Sequence, residues 1–211
     1  MWIVCGSVLG YLIGTINPSY LIGKIKGMDI REKGSGNAGG SNALIVMGKA
    51  IGFACMLFDI AKACLAVLIM NRLAPESHYA GLLSGVFCIL GHMFPFYMNF
   101  RGGKGLACLG GSILAYSWKL FFIMLAIALI LVIITDYICI APIAASIAWP
   151  ILYGYMEKDM WGMFILLIAT LAILLKHVEN LKRIKKGTEA HFSFLWKRDE
   201  ETERVKKNMS K

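Results

Sequence analysis

The sequence is poor in charge. Of 211 residues only 17% are Asp, Glu, Lys or Arg, while 58% are hydrophobic; soluble domains carry roughly 25% charged residues. Between Gly105 and Glu157 the only charges are Lys119 and Asp136. A soluble protein of this length has too little interior to shelter that much apolar chain, so lipid is its solvent. Histidine is scarce as well. None of His78, His92, His177 and His191 has Asp five positions on, which removes the His-x-x-x-x-Asp acid–base pair. Asp59 and Asp136 are the only acidic candidates at membrane depth, too few for a helical set of metal-binding aspartates, so neither metal nor cofactor is expected. The six cysteines (Cys5, Cys55, Cys64, Cys88, Cys108, Cys139) show no metal-like pairing. Most sit in apolar runs, where a thiol acts as a small hydrophobe. There is no internal repeat, low-complexity tract or second domain. Met1-Trp2-Ile3-Val4 carries no basic residue, so the first apolar run is expected to be a span rather than a removable signal.

What is present is basic and local. The net charge is +9, but the excess lies beside apolar runs. Lys24–Lys49 holds five basic and two acidic residues, and Lys176–Lys211 eleven and six. Excess Lys and Arg beside spans marks the cytoplasmic side and meets anionic lipid headgroups, so membrane lipid is the expected partner of this charge, not nucleic acid. Apolar segments at roughly 2–22, 51–70, 79–98, 137–155 and 161–176 approach the ~20 residues of a spanning helix. The stretch 105–134 crosses once, or twice if broken near Ser117-Trp118-Lys119. Only two crossings keep the basic tail inside. The expectation is therefore an all-α polytopic membrane protein of about seven helices, two of them short, with its N-terminus outside and C-terminus cytoplasmic. Residues 1–186 form the membrane domain and 187–211 a basic cytoplasmic tail.

Three polar clusters fall on one side in this topology. The first runs from Lys33 through Ser35, Gly36, Asn37 and Ser41 to Asn42; four glycines let backbone N–H groups converge on an anion, with side-chain donors beside them. The second is Gly91-His92-Met93-Phe94-Pro95 and then Phe100-Arg101-Gly102-Gly103-Lys104-Gly105. Open backbone donors, one ammonium and a following helix N-terminus resemble a phosphate cradle, though not a Walker A motif. The third is Lys176-His177-Val178-Glu179-Asn180-Leu181-Lys182-Arg183 with Gly187-Thr188-Glu189; on a continuing helix His177, Asn180 and Arg183 share a face. Each cluster also reads as a flexible loop, a basic turn or a solvated helix end. Asp59 and Lys62, at i and i+3 inside the second span, read as a structural ion pair supporting the Gly-rich loop.

In order, Gly-Ser-Gly-Asn-x-Gly-x-x-Asn, Gly-His-x-x-Pro with Phe-Arg-Gly-Gly-Lys-Gly, and His-x-x-Asn-x-x-Arg with Lys-Gly-Thr-Glu resemble the signature of the PlsY family, the bacterial acyl-phosphate:glycerol-3-phosphate acyltransferases. The resemblance runs from the Gly14–Pro18 region to Glu189. It implies a multi-pass helical enzyme of the inner membrane, with acyl phosphate as donor, glycerol 3-phosphate as acceptor and lysophosphatidic acid as product. It also implies a functional link to a soluble PlsX-type enzyme that makes acyl phosphate. Carried over by position, Ser35, Lys104, His177 and Asn180 are the catalytic candidates. Gly36, Asn37, Asn42, Arg101, Gly102, Gly103, Gly105 and Arg183 are the phosphate-binding ones. The chain departs from the family at Ile45, where Arg is common, at Cys108, where Thr or Ser is common, and at Ser41, where Thr is common. The change at Ile45 removes a phosphate partner that Arg31 or Arg101 replaces only if the fold brings it close. An anion transporter and a family member with altered substrate or no activity are the readings that compete.

Overall fold

The computed structural model describes residues 1–189 and 191–195. Among these residues there are nine α-helices, three short 3-10 turns and no strand. The all-α expectation holds, but the first apolar run is not one helix. α1 (Trp2–Thr15) stops before Asn17, and α2 (Pro18–Ile25) starts there. Pro18 lacks the N–H that would continue the helix. The Asn17 side chain instead accepts from the Tyr20 N–H at 2.9 Å and donates to the Ala38 carbonyl at 2.9 Å. α1 packs on α5 (Ala80–Met93) through Gly6, Gly10 and Gly14. A Cβ on these would stand 2.5, 2.1 and 2.2 Å from the carbonyl oxygens of Ala80, Ser84 and Cys88, so the backbones touch, as small-residue stripes allow in membranes.

The basic loop 24–49 is also more ordered than expected. It contains α3 (Gly40–Met47), which carries Ile45 and lies against α4 (Lys49–Leu73). The stretch 105–134 breaks where Ser117 was expected to break it. α6 (Leu106–Tyr116) and α7 (Trp118–Thr135) meet at Ser117, whose hydroxyl accepts from the Leu120 N–H at 3.3 Å. α8 (Ile140–Glu157) and α9 (Met160–Lys185) complete the bundle. α9 runs nine residues past the apolar segment that announced it, because the polar turns carrying Asn180 and Arg183 continue the same helix.

A core of Val86, Ile89, Leu109, Trp149, Leu166 and Ile173 sits between α5, α6, α8 and α9. The outside is apolar too. α7 buries only Met124 and Val132 and exposes Phe122, Ile123, Ile127, Ile130 and Ile134. Such a continuous apolar exterior marks a membrane-facing surface. Among the described residues, four helices are long and apolar enough to cross: α4, α5 with its extension to Met98, α7 and α9.

The charges at membrane depth pair as expected, and with an additional partner. Lys62 Nζ lies 2.6 Å from Asp59 Oδ1 and 3.2 Å from His92 Nδ1, all three buried. The same ammonium donates to the Ile16 carbonyl at 2.5 Å, at the α1–α2 break. Donor atoms of Asp59, His92 and Cys108 lie within 4.8 Å of one another, but the Lys62 ammonium already supplies the cation there. Asp136 occupies the α7–α8 turn in a left-handed conformation, φ 60°.

Candidate active site

The first polar loop is shaped by one buried amide. Asn42 is fully buried; its Oδ1 accepts from the Ser35 N–H at 2.8 Å, and its Nδ2 lies 2.8–3.0 Å from the carbonyls of Ile30, Lys33 and Asn37. Left-handed Gly34 and Gly36, φ 59° and 73°, let the chain circle it. Asn42 was expected to bind substrate, but its polar atoms are spent on the loop, so its part is to hold Ser35, Gly36 and Asn37 in place. Arg31 ties this loop to the second. Its Nε and Nη2 donate to the two Asp29 oxygens at 2.9 and 2.7 Å, and its Nη1 donates to the Met98 carbonyl at 2.7 Å. The guanidinium holds the Asp29 carboxyl well below the usual carboxylate range. So engaged, Arg31 does not replace the Arg missing at Ile45.

The second loop folds back on α5. The Gly102 N–H donates to the Met93 carbonyl at 3.0 Å and the Gly103 N–H to the His92 carbonyl at 3.0 Å. These amides are therefore not the open donors expected of a phosphate cradle. The reason for glycine is steric: a Cβ on Gly103 would stand 2.0 Å from His92 Nε2. Gly105 caps α6 with φ 90°. What the turn presents is the Lys104 ammonium.

That ammonium meets α9. Lys104 Nζ donates to Asn180 Oδ1 at 2.5 Å, Asn180 Nδ2 donates to Glu189 Oε1 at 2.5 Å, and Arg183 Nε donates to Glu189 Oε2 at 2.7 Å. Burial first, then the Arg183 charge, push the Lys104 pKa down. His177, 2% exposed, places Nδ1 at 2.8 Å from the Ile173 carbonyl. A carbonyl only accepts, so Nδ1 carries a proton, and in the neutral ring Nε2 is then the atom with the lone pair.

Between these parts lies an open cavity of about 230 Å³. Ser35, Gly36 and Asn37 form one wall, Arg101, Gly102 and Lys104 the second, and Lys176, Glu179 and Arg183 the third. Seven of the twelve expected site residues thus line it. Asn180 bonds to the lining Lys104, His177 is buried on the same helix without lining the cavity, and Asn42, Gly103 and Gly105 support the loops. Lys176 and Glu179 were not expected. The three-residue spacing from His177 selects one helix face, whereas the cavity takes the neighbouring i, i+3, i+7 face from Lys176. Lys176 Nζ rests 4.5 Å over the Phe94 ring. Four cations around one opening suit a ligand, or two ligands, of high negative charge.

The glycerol-3-phosphate acyltransferase family model matches residues 4–187. The glycerol-3-phosphate acyltransferase of Pseudothermotoga lettingae is 38% identical over 182 residues, 86% of this chain and 90% of its own. That of Bacillus subtilis is 35% identical over 89% of this chain and 96% of its own, and that of Lactiplantibacillus plantarum 36% identical over 97% and 100%. The fold superposes on crystal structures of PlsY (YgiH), an integral membrane glycerol 3-phosphate acyltransferase. Its glycerol 3-phosphate form gives a TM-score of 0.84 and its lysophosphatidic acid form 0.81, each at 28% identity over 91% of this chain and 96% of that one. This chain belongs to the glycerol-3-phosphate acyltransferase family.

Proposed function

We propose that this protein transfers a fatty acyl group from acyl phosphate to the sn-1 hydroxyl of glycerol 3-phosphate, giving lysophosphatidic acid. The observation that carries the reading is the cavity ringed by Arg101, Lys104, Lys176 and Arg183. Donor and acceptor each bring a phosphate, and holding two such anions together needs this density of positive charge. An acyl phosphate is a mixed anhydride, so its carbonyl is already activated. The acceptor hydroxyl attacks that carbon, the bond to phosphate oxygen breaks, and phosphate leaves. The work left to the protein is positioning and charge stabilisation, with no covalent acyl-enzyme. Lys104 and Arg183 hold phosphate, Ser35 and Asn37 offer polar contacts from the facing wall, and Asn180 orients Lys104. The hydroxyl proton goes to His177 Nε2 or to a phosphate oxygen of the substrate. The family relationship supports this acceptor and argues against the transporter reading.

The acyl chain needs an apolar berth, which explains why the reaction belongs on a membrane protein; we place the site at the cytoplasmic face of the cell's inner membrane. Seven crossings, with α6 and α7 as separate ones, bring the three walls to that face and the tail after Gly187 with them; most of that tail lies outside the described residues. The donor would come from a soluble PlsX-type enzyme. The test is an assay of purified protein with glycerol 3-phosphate and, separately, acyl phosphate, acyl-CoA and acyl carrier protein donors. Transfer from acyl phosphate alone is expected; transfer from acyl-CoA alone would overturn the donor assignment.

A further inference from the structure

The chain after α9 does not leave the protein at the active site. Gly187, φ 68°, turns it back, and the N–H groups of Thr188 and Glu189 both donate to the Arg183 carbonyl, at 2.9 and 3.2 Å. This places the Glu189 carboxylate against Asn180 and Arg183. Glu189 thereby sets the direction of an amide. Because its oxygen accepts from Asn180 Nδ2, the Asn180 oxygen must face Lys104, which donates to it. A flipped Asn180 would present N–H groups to an ammonium.

A few residues further the same segment is fastened to a distant part of the chain. The Phe192 N–H donates to the Asp136 carbonyl at 2.6 Å. The Ser193 N–H and hydroxyl donate to the two Asp136 carboxylate oxygens at 2.8 and 2.9 Å. His191 Nδ1 lies 3.5 Å from the same carboxylate, and its ring packs edge-on against Tyr137. Asp136 closes the α7–α8 turn in the left-handed region. One of only two charges between Gly105 and Glu157 is therefore spent on holding the segment that carries Glu189.

We infer that Asp136 is a positioning residue for acyl transfer: its carboxylate latches residues 191–193 to the α7–α8 turn and so holds Glu189 where it orients Asn180 and Arg183. This rests on the acyl-transfer reading of the cavity. Pinned at Arg183 on one side and Asp136 on the other, Glu189 keeps a high effective concentration at its partners. Released at Asp136, its carboxylate would meet those partners for a smaller share of the time.

The test uses Asp136→Gly, which removes the carboxylate and tolerates positive φ, with Asp136→Asn, which keeps one acceptor oxygen, and Ser193→Ala. The readouts are kcat and KM with acyl phosphate and glycerol 3-phosphate, amide hydrogen exchange over 187–195, and the thermal unfolding midpoint. Asp136→Gly should speed exchange of the Phe192 and Ser193 amides and lower kcat/KM about tenfold, the scale of one charge-assisted hydrogen bond, with the midpoint little changed. Asp136→Asn should recover most of the loss. Ser193→Ala should cost less in the wild type and nothing further beside Asp136→Gly. Unchanged exchange, or faster exchange with wild-type kcat/KM, would overturn the inference. So would a full Ser193→Ala penalty beside Asp136→Gly, since Asp136 would then act through the turn alone. If Asp136→Gly unfolds, Ser193→Ala decides by the same exchange and kinetic readouts. If the wild type transfers no acyl group, the acyl-transfer reading fails by itself. The latch is then decided by exchange and by calorimetry of glycerol 3-phosphate, which Asp136→Gly should weaken; unchanged affinity would overturn it.

Discussion

Lys104→Ala separates function from stability, because the folded protein holds this ammonium against its preference. Burial and the neighbouring Arg183 charge push its pKa below that of an ordinary lysine, and Glu189 opposes them only in part. A lysine whose folded pKa is lowered costs the fold stability: the cost is complete below the folded pKa and fades as pH rises towards the unfolded value. Removing the group should therefore leave the unfolding midpoint at neutral pH unchanged or slightly raised. Its effect on catalysis has the opposite sign. Lys104 is the ammonium fixed by Asn180 at 2.5 Å beside the cavity, and loss of one preorganised charge-stabilising group costs about 10²–10³-fold in kcat. The assay is lysophosphatidic acid formation by purified protein with acyl phosphate and glycerol 3-phosphate. Turnover within about threefold of wild type would refute the reasoning, since a mere signal of membrane orientation is worth nothing to chemistry. The pH profile gives a second check. kcat/KM reports the free enzyme, so its alkaline limb should begin at lower pH than an ordinary lysine would give, and Lys104→Arg should move the limb upward.

Lys176→Ala should raise KM for the phosphate substrates by about tenfold, the scale of a charge-assisted contact, with little change in kcat; a fall in kcat alone would remove Lys176 from the anion site. Ile45→Arg should leave kcat/KM within about threefold of wild type, because Arg101 and Lys176 already line the cavity; a tenfold gain would show that the wall lacks a cation. Gly10→Ala should lower the unfolding midpoint and disturb α1–α5 packing, since its Cβ would stand 2.1 Å from the Ser84 carbonyl oxygen; unchanged stability would mean that the two helices tolerate separation. Reporter fusions after Glu157 and at the C-terminus should read outside and inside, and a C-terminus outside would dismantle the seven-crossing topology.

Much of the bundle was legible because lipid imposes a simple rule: long apolar runs become helices, and the break at Ser117 followed from charge parity. The break at Asn17-Pro18 was harder to see, although Asn before Pro is a helix-start signal. The run around it is apolar throughout, and hydropathy alone does not register an interrupted hydrogen-bond ladder. The Gly6, Gly10, Gly14 stripe was equally present in the sequence. Its meaning depends on which helix faces it, and a spacing of four names a face without naming the partner. For the same reason α3 was hidden in what composition describes as a flexible loop: Gly40 and Gly52 gain their significance only from the closeness of α3 and α4.

At the site, residue types told where chemistry gathers better than they told which atoms remain available for it. Gly102 and Gly103 carry the expected motif, yet their N–H groups are consumed by the Met93 and His92 carbonyls, and Asn42 is consumed by its own loop. Both outcomes follow from one requirement, that a polar loop packed on a membrane bundle satisfy its backbone groups internally. The Asp59–Lys62–His92 cluster meets that requirement from below. Lys62 holds the Ile16 carbonyl at the α1–α2 break, and Asn17 beside it holds Ala38 of the first loop. His92 takes the Gly103 N–H of the second loop on its carbonyl. Two of the three walls are thus tied to residues beside the buried charges, through the Asn17 amide and the His92 backbone carbonyl, which leaves the charges that face the cavity free for the ligand.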